Sequence, residues 1–433
     1  MSKLCYSSPM QFHKQTLPNG LHIVTIPMED NPAVTVFVMV ETGSKYEKKE
    51  TNGLSHFLEH MIFKGTPKRP RALDIARELE SLGAQYNAFT AQEYTGYYAK
   101  VKADHLDNAL DVVSDIYLNP LFDAKEMEKE KGVIVEEIRM YQDMPHRHVQ
   151  HLFMSLVYGD QPIGWNIAGT EETVKSFTRE DFVKYCSEHY VASATTVVVA
   201  GGFDEVVTLK KIEKAFENIS TGAPLPKVAV VESQGEPRAL VQYKETDQAH
   251  LVLGFRSYGA RSPHDPALSV LSGILGKGMS SRLFQKLREE MGVGYYIYAS
   301  HDAYTDHGIF SISAGVDTSR FEEVLAVLLD ECKKLKHTLV DEDELKKVKD
   351  YLTGSFVLGL ETSDSRAEYA AVNQILKGKI VSLEEEIDDI QKVTAEEIQT
   401  LAQEIFVEKH LNLAVIGPYK DSERFVPLLA FKG

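Results

Sequence analysis

Hydrophobic positions recur along this chain with two alternating periods. LPNGLHIVTIP (residues 17–27) reads as a turn and a strand, and AVTVFVMVETGS (33–44) as a second strand dense in β-branched residues. From about Asn52 the period becomes helical, with Leu54, Phe57, Leu58, Met61 and Ile62 on one face. After KGTPKRP the same period returns in ALDIARELESLG and stops at Gly83. Strand alternation resumes in AQYNAFTAQEYTGYYAKV. It is followed by helical DHLDNALDVVSDIYL and a long helix through DAKEMEKEKGVIVEEIRMYQ.

The second half repeats this order. VQYKETDQAHLVLGFRSYG predicts strands, and PALSVLSGILGKGMSSRLFQKLREEMG predicts a helix, a Gly-rich break and a helix. VGYYIYASHDAYTDHGIFSISAGV returns to strands, before helical FEEVLAVLLDECKKL and DELKKVKDYLTGSF. Laying LSHFLEH on LSGILGK gives an offset of 217 residues, and laying DAKEM on DEDEL gives 218. Two separate segments agreeing to one residue over half the chain indicate an internal duplication. The stretch 220–237, rich in Pro, Gly and Ser, predicts the join between domains at 1–219 and 238–433. Strands followed by groups of helices place the chain in the α+β class: two homologous α/β-sandwich halves, each an antiparallel-rich sheet with helices on one face.

Composition narrows the function classes. With 433 residues, 43% hydrophobic and 26% charged, the chain has the balance of a globular protein of several domains. A formal net charge of -17 disfavours nucleic acid or an anionic membrane surface as the main partner, since both attract basic proteins. The three cysteines, Cys5, Cys186 and Cys332, lie far apart without a CxxC pair, which points to a reducing compartment rather than a disulfide framework. No apolar secretory h-region opens the sequence and no run reaches bilayer length. A protein of the cytoplasm is expected, or an organellar one after loss of a transit peptide, with no membrane insertion.

His56, Glu59 and His60 stand at i, i+3 and i+4, so on a helix they point the same way. Two imidazoles so spaced can reach one zinc ion, and the glutamate between them is placed to accept a proton from a metal-bound water. This is the HxxEH order of inverzincins. The bland alternative is two surface histidines near an acid. Asn52 and Gly53 opening the helix, and the apolar stripe beside the triplet, argue for a half-buried face instead. A catalytic zinc needs a third ligand, and the long helix offers Glu130 and Glu137, seven residues apart on one stripe with Ile134 between them. Carboxylates beside Val133, Ile134 and Ile138 are costly to bury unless paired or metal-bound, whereas Glu126, Glu128 and Glu136 read as solvated.

HFLEH, then 76 residues, then Glu137, resembles the pitrilysin/insulinase-type metallopeptidases, with the nearest likeness to the processing-peptidase branch and its bacterial relatives. The likeness spans essentially the whole chain: HFLEHMIFKGT, GAQYNAFTAQEYTGYYAK, EKGVIVEEI and GKGMSSRLFQKLREEMGVGYY. It implies that His56, His60 and Glu137 hold one zinc per chain, that Glu59 is the base, and that Glu130 orients a ligand histidine. It further implies a clamshell of two halves, a homodimer, and peptide substrates paired along a strand containing Asn87, Ala88 and Phe89. Arg288 and Tyr295 match an Arg/Tyr pair that reaches substrate, a guanidinium for a peptide carbonyl and a phenol for the oxyanion. Opposite His56, Glu59 and His60 the second half has Gly273, Gly276 and Lys277, and opposite Glu137 it has Ser355, so only one half carries the metal set.

The stretch Gly276–Gly278 lacks the GxxxxGK[ST] order, so nucleotide binding is not expected. In processing peptidases a similar stretch belongs to the non-catalytic subunit and helps admit substrate. His146, His148 and His151 have no partner acid at ligand spacing and read as solvated or structural. The expected activity is a zinc-dependent endopeptidase acting on extended or presequence-like segments. The alternatives are a non-catalytic or a partner-dependent peptide-binding subunit of the same fold.

Overall fold

The computed structural model describes residues 10–431, so Cys5 lies outside the described residues. The chain forms two compact units, each discontinuous in sequence. The first comprises residues up to Arg139, Asn166–Val228 and Val357–Leu383; the second comprises Met140–Trp165, Ala229–Phe356 and residues from Glu384 onward. Residues 220–237 form neither helix nor strand. Within that stretch the units change over, between Val228 and Ala229. Two further segments, 140–165 and 357–383, are exchanged between the halves of the sequence.

The first unit is built on a six-stranded sheet. Its strands are β1 (His13–Thr16), β2 (His22–Pro27), β3 (Ala33–Val40), β4 (Gln85–Thr90), β5 (Thr95–Lys102) and β6 (Thr195–Gly201), in the order β1-β2-β6-β3-β5-β4. Every pairing is antiparallel except β2 with β6. Along β3, Val34, Val36, Val38 and Val40 point into a core shared with the helices Leu54–Ile62 and Leu106–Leu118. The strand period of two therefore sends Thr35 and Phe37 to the opposite face. There the helix Ser363–Leu376 lies on β3 and β6, with Thr35 Oγ1 and Ser363 Oγ 2.8 Å apart. Its buried residues include Ala367, Ala370 and Ala371, small side chains on one helical stripe that permit close approach to a sheet.

The second unit has five strands, β7 (Arg238–Tyr243), β8 (Gln248–Ser257), β9 (Gly294–Ala303), β10 (Gly308–Asp317) and β11 (Asn412–Gly417), in the order β7-β11-β8-β10-β9. This is the first sheet's order without β1, and again only the first pair, β7 with β11, is parallel. Leu251, Leu253 and Phe255 face a core with the helices Asp265–Gly276 and Phe321–His337. Val252, Ala414 and Ile416 face the other way, onto Val149, Phe153 and Val157 of the helix Pro145–Tyr158. Each sheet thus has its main helical layer on one face and, on the other, a helix drawn from the opposite half of the sequence. Among the described residues no helix is long and apolar enough to cross a membrane.

Candidate metal centre

The helix Leu54–Ile62 is held rigidly at its start. Gly53 sits at φ +98, and a Cβ there would lie 2.7 Å from Ala168 O and 2.8 Å from Gly169 Cα, so only glycine fits. The buried Glu47 carboxylate accepts the N–H groups of Gly53 at 2.8 Å and Ser55 at 2.7 Å, satisfying donors that the helix itself leaves free. Ser55 Oγ meets Tyr185 OH at 2.7 Å, tying the first turn to the helix Arg179–His189. Phe57, Leu58 and Met61 are fully buried, which turns His56, Glu59 and His60 toward the more open side.

The helix Ala124–Asp143 buries Met127, Ile134 and Ile138, and carries Glu130 and Glu137 along the neighbouring stripe. Val133, expected on the sheltered face, is half exposed instead, because it falls on the outer side of that helix. Glu128 and Glu136 are exposed and paired with Lys131 and Arg139, as solvated acids should be.

One atom each from His56, His60 and Glu137 come together within 4.8 Å of one another, and no second group of potential ligands converges this way among the described residues. Glu137 Oε2 lies 3.7 Å from His56 Nε2 and 3.5 Å from His60 Nε2. Ligand atoms at zinc distances in a tetrahedron stand about 3.3 Å apart, so this donor set fits the ion with little adjustment. The three side chains are 13–23% exposed, sheltered but still reachable.

The electrostatics match a cation site. Burial, reinforced by His60, lowers the pKa of His56 to about 3, which keeps that ring neutral and able to donate a lone pair. His60 is pushed the other way: burial opposes its charge, but its hydrogen bond to the Glu130 carboxylate and the nearby carboxylates of Glu59 and Glu137 outweigh it. Glu130 Oε1 lies 2.9 Å from His60 Nδ1, leaving Nε2 turned toward Glu137, and its other oxygen meets Lys64 Nζ at 2.6 Å. A carboxylate on the far nitrogen is the usual way in which a ligand imidazole is oriented. Burial raises the pKa of Glu59, with Glu137 adding to the effect and Thr90 and His60 opposing it.

The structure places the other expected residues as follows. Asn87, Ala88 and Phe89 lie in β4, the edge strand of the first sheet, where the Ala88 N–H donates to Asn87 Oδ1 at 2.9 Å. Arg288 and Tyr295 belong to the second unit. The Arg288 guanidinium donates to Gly294 O at 2.9 Å, and the Tyr295 side chain is exposed. His146, His148 and His151 ride on the helix Pro145–Tyr158, where His148 Nε2 contacts Gln242 at 2.8 Å. Three residues of the site escaped sequence reasoning: Glu47, Lys64 and Thr90. Lys64 continues the four-residue spacing of His56 and His60, a signal present in the text. Glu47 and Thr90 are brought in by the fold.

Two family models match the chain, Insulinase (Peptidase family M16) over residues 22–171 and Peptidase M16 inactive domain over residues 176–352. The chain is 37% identical to the uncharacterized zinc protease YmxG of Bacillus subtilis, with 94% of this chain and 98% of that one covered. It is 34% identical to an uncharacterized zinc protease of Mycobacterium tuberculosis, covering 96% of this chain and 94% of the relative. Among solved structures, a protease from Helicobacter pylori has the same fold, with a TM-score of 0.87 at 23% identity, covering 95% of this chain and 100% of that one.

Proposed function

This chain belongs to the insulinase family of peptidases, M16, and on that footing we propose that it is a zinc-dependent endopeptidase with His56, His60 and Glu137 as ligands and Glu59 as general base. The observation that carries the reading is the convergence of those three donors, with Glu59 one residue before His60 on the same helix. Zinc bound there would acidify a water molecule and polarise the scissile carbonyl. Glu59, its carboxyl pKa raised by burial, takes the proton from the attacking water and delivers it to the departing amine. Glu130 keeps His60 oriented through Nδ1.

The substrate we propose is an extended peptide or presequence-like segment, cut in the manner of a processing peptidase. β4 ends the first sheet, so its outer edge can take a peptide as an added strand beside Asn87, Ala88 and Phe89. Arg288 and Tyr295 are the proposed substrate contacts of the second unit.

Metal analysis and cleavage of a quenched-peptide library test the reading together. The wild-type chain should carry about one zinc and cleave peptides. Glu59→Gln should keep the metal and lose at least about 10³-fold in turnover. Undiminished cleavage by metal-loaded Glu59→Gln would remove Glu59 from its role. A zinc-loaded wild type that binds peptides without cutting them would make the chain a binding subunit.

A further inference from the structure

Glu59 has a second partner outside the metal set. Thr90 is the last residue of β4, and its Oγ1 donates to Glu59 Oε2 at 2.6 Å. Strand alternation explains why it points there: Tyr86 and Ala88 pack on the first core, with Tyr86 beside Phe63, while Gln85 and Asn87 are exposed. Thr90 follows Ala88 by two residues and shares its side of the strand, facing the helix Leu54–Ile62.

The hydroxyl is well anchored. Thr90 pairs with Thr95 of β5, and the fully buried Thr95 donates through Oγ1 to Thr42 O at 2.9 Å. A β-branched side chain in a strand has few rotamers, so its oxygen is fixed relative to the sheet. Glu59 is the opposite case, a long side chain with several rotatable bonds. Oε2 is occupied by Thr90, whereas Oε1 has no partner among the described residues.

We infer that Thr90 is a positioning residue for Glu59: it ties one carboxylate oxygen to the strand and leaves the other for the proton of the attacking water. This rests on the proposed role of Glu59. It also links two parts of the site, because the strand proposed to bind the peptide is the one that sets the base.

Two substitutions separate the hydroxyl from the shape of the side chain. Thr90→Val keeps the branched form and removes the donor; Thr90→Ser keeps the donor and removes a methyl. In the zinc-loaded enzyme, Thr90→Val should lower kcat about 10- to 100-fold with KM and zinc content unchanged. Thr90→Ser should stay within about threefold of wild type. Crystal structures of the three metal-free proteins supply a reading independent of turnover. The Glu59 carboxylate should hold its position in wild type and Thr90→Ser and spread over several rotamers in Thr90→Val. Equal impairment of the two variants, or Glu59 unmoved in Thr90→Val, would overturn the inference. If wild type cleaves nothing, the peptidase reading falls, and the crystallographic comparison still decides whether Thr90 sets Glu59.

Discussion

The helices Leu54–Ile62 and Asp265–Gly276 occupy the same place in two sheets of matching strand order, each followed in sequence by the edge strand it packs on. The first carries His56, Glu59 and His60; the second has Gly273, Gly276 and Lys277 at those positions. The glycines do more than leave out side chains. A Cβ on Gly276 would stand 2.2 Å from Ala299 N in β9, and one on Gly273 would stand 2.6 Å from Val348 Cγ1. The second helix therefore lies directly against its strand and the neighbouring helix Glu342–Gly359. In the first unit the matching positions carry two imidazoles and a carboxylate instead. A polar cluster and a close backbone contact are two solutions to one packing problem.

The strongest way to break this contrast is to give the first helix the residues of the second. His56→Gly combined with His60→Lys should remove the bound zinc and cut peptide cleavage by at least about 10³-fold, read by metal analysis and turnover. A variant that retained a full equivalent of metal at that site would show that the histidines are not its ligands.

The converse change belongs to the second unit. Gly276→Ala forces a methyl group into the backbone of β9 and should cost about 3 kcal/mol in urea unfolding. Zinc content should not move. A stability equal to that of wild type would mean that the close approach is not tight.

A smaller effect distinguishes the helices Arg179–His189 and Ala395–Ile405, each begun by a threonine capping box and followed by a central strand of its sheet. His189 is buried, its ring 4.4 Å from Tyr185 and 5.8 Å from Tyr46, with Nδ1 unpartnered among the described residues. Burial lowers its pKa from 6.5 to about 4. The folded state thus prefers the neutral ring. The stability this provides is whole above pH 6.5 and drains away as the pH falls toward 4. Ile405 ends the matching helix and cannot titrate. His189→Ile should therefore flatten the acid limb of the stability curve by about 1–2 kcal/mol between pH 7 and 4. Identical slopes in denaturation at the two pH values would count against the buried neutral ring.

The helix Leu54–Ile62 was readable because its information is local: apolar residues at helical spacing set one face, and the HxxEH order falls on another. Glu130 and Glu137 share a stripe that can be read from periodicity, but their distance from His60 cannot, and only likeness to a family singled out Glu137. Thr90 and Glu47 left no mark in the sequence, because a strand crossing and a buried turn bring them in. The sheet centres were equally hidden. β6 and β11 sit beside β2 and β7 through parallel pairings that span most of a unit, and such pairings have no short-range signature. Nor does periodicity tell which sheet an amphipathic helix will cover, so the exchange of Pro145–Tyr158 and Ser363–Leu376 was beyond reach.

That exchange has a consequence for synthesis on the ribosome. All six strands of the first sheet have been made once Gly201 emerges, but Phe37 and Val198 belong to a face whose covering helix is translated only near the end of the chain. While residues 202–362 are being added, this nascent sheet presents an apolar surface that its own polypeptide cannot yet hide, the kind of exposure that draws chaperones and invites aggregation.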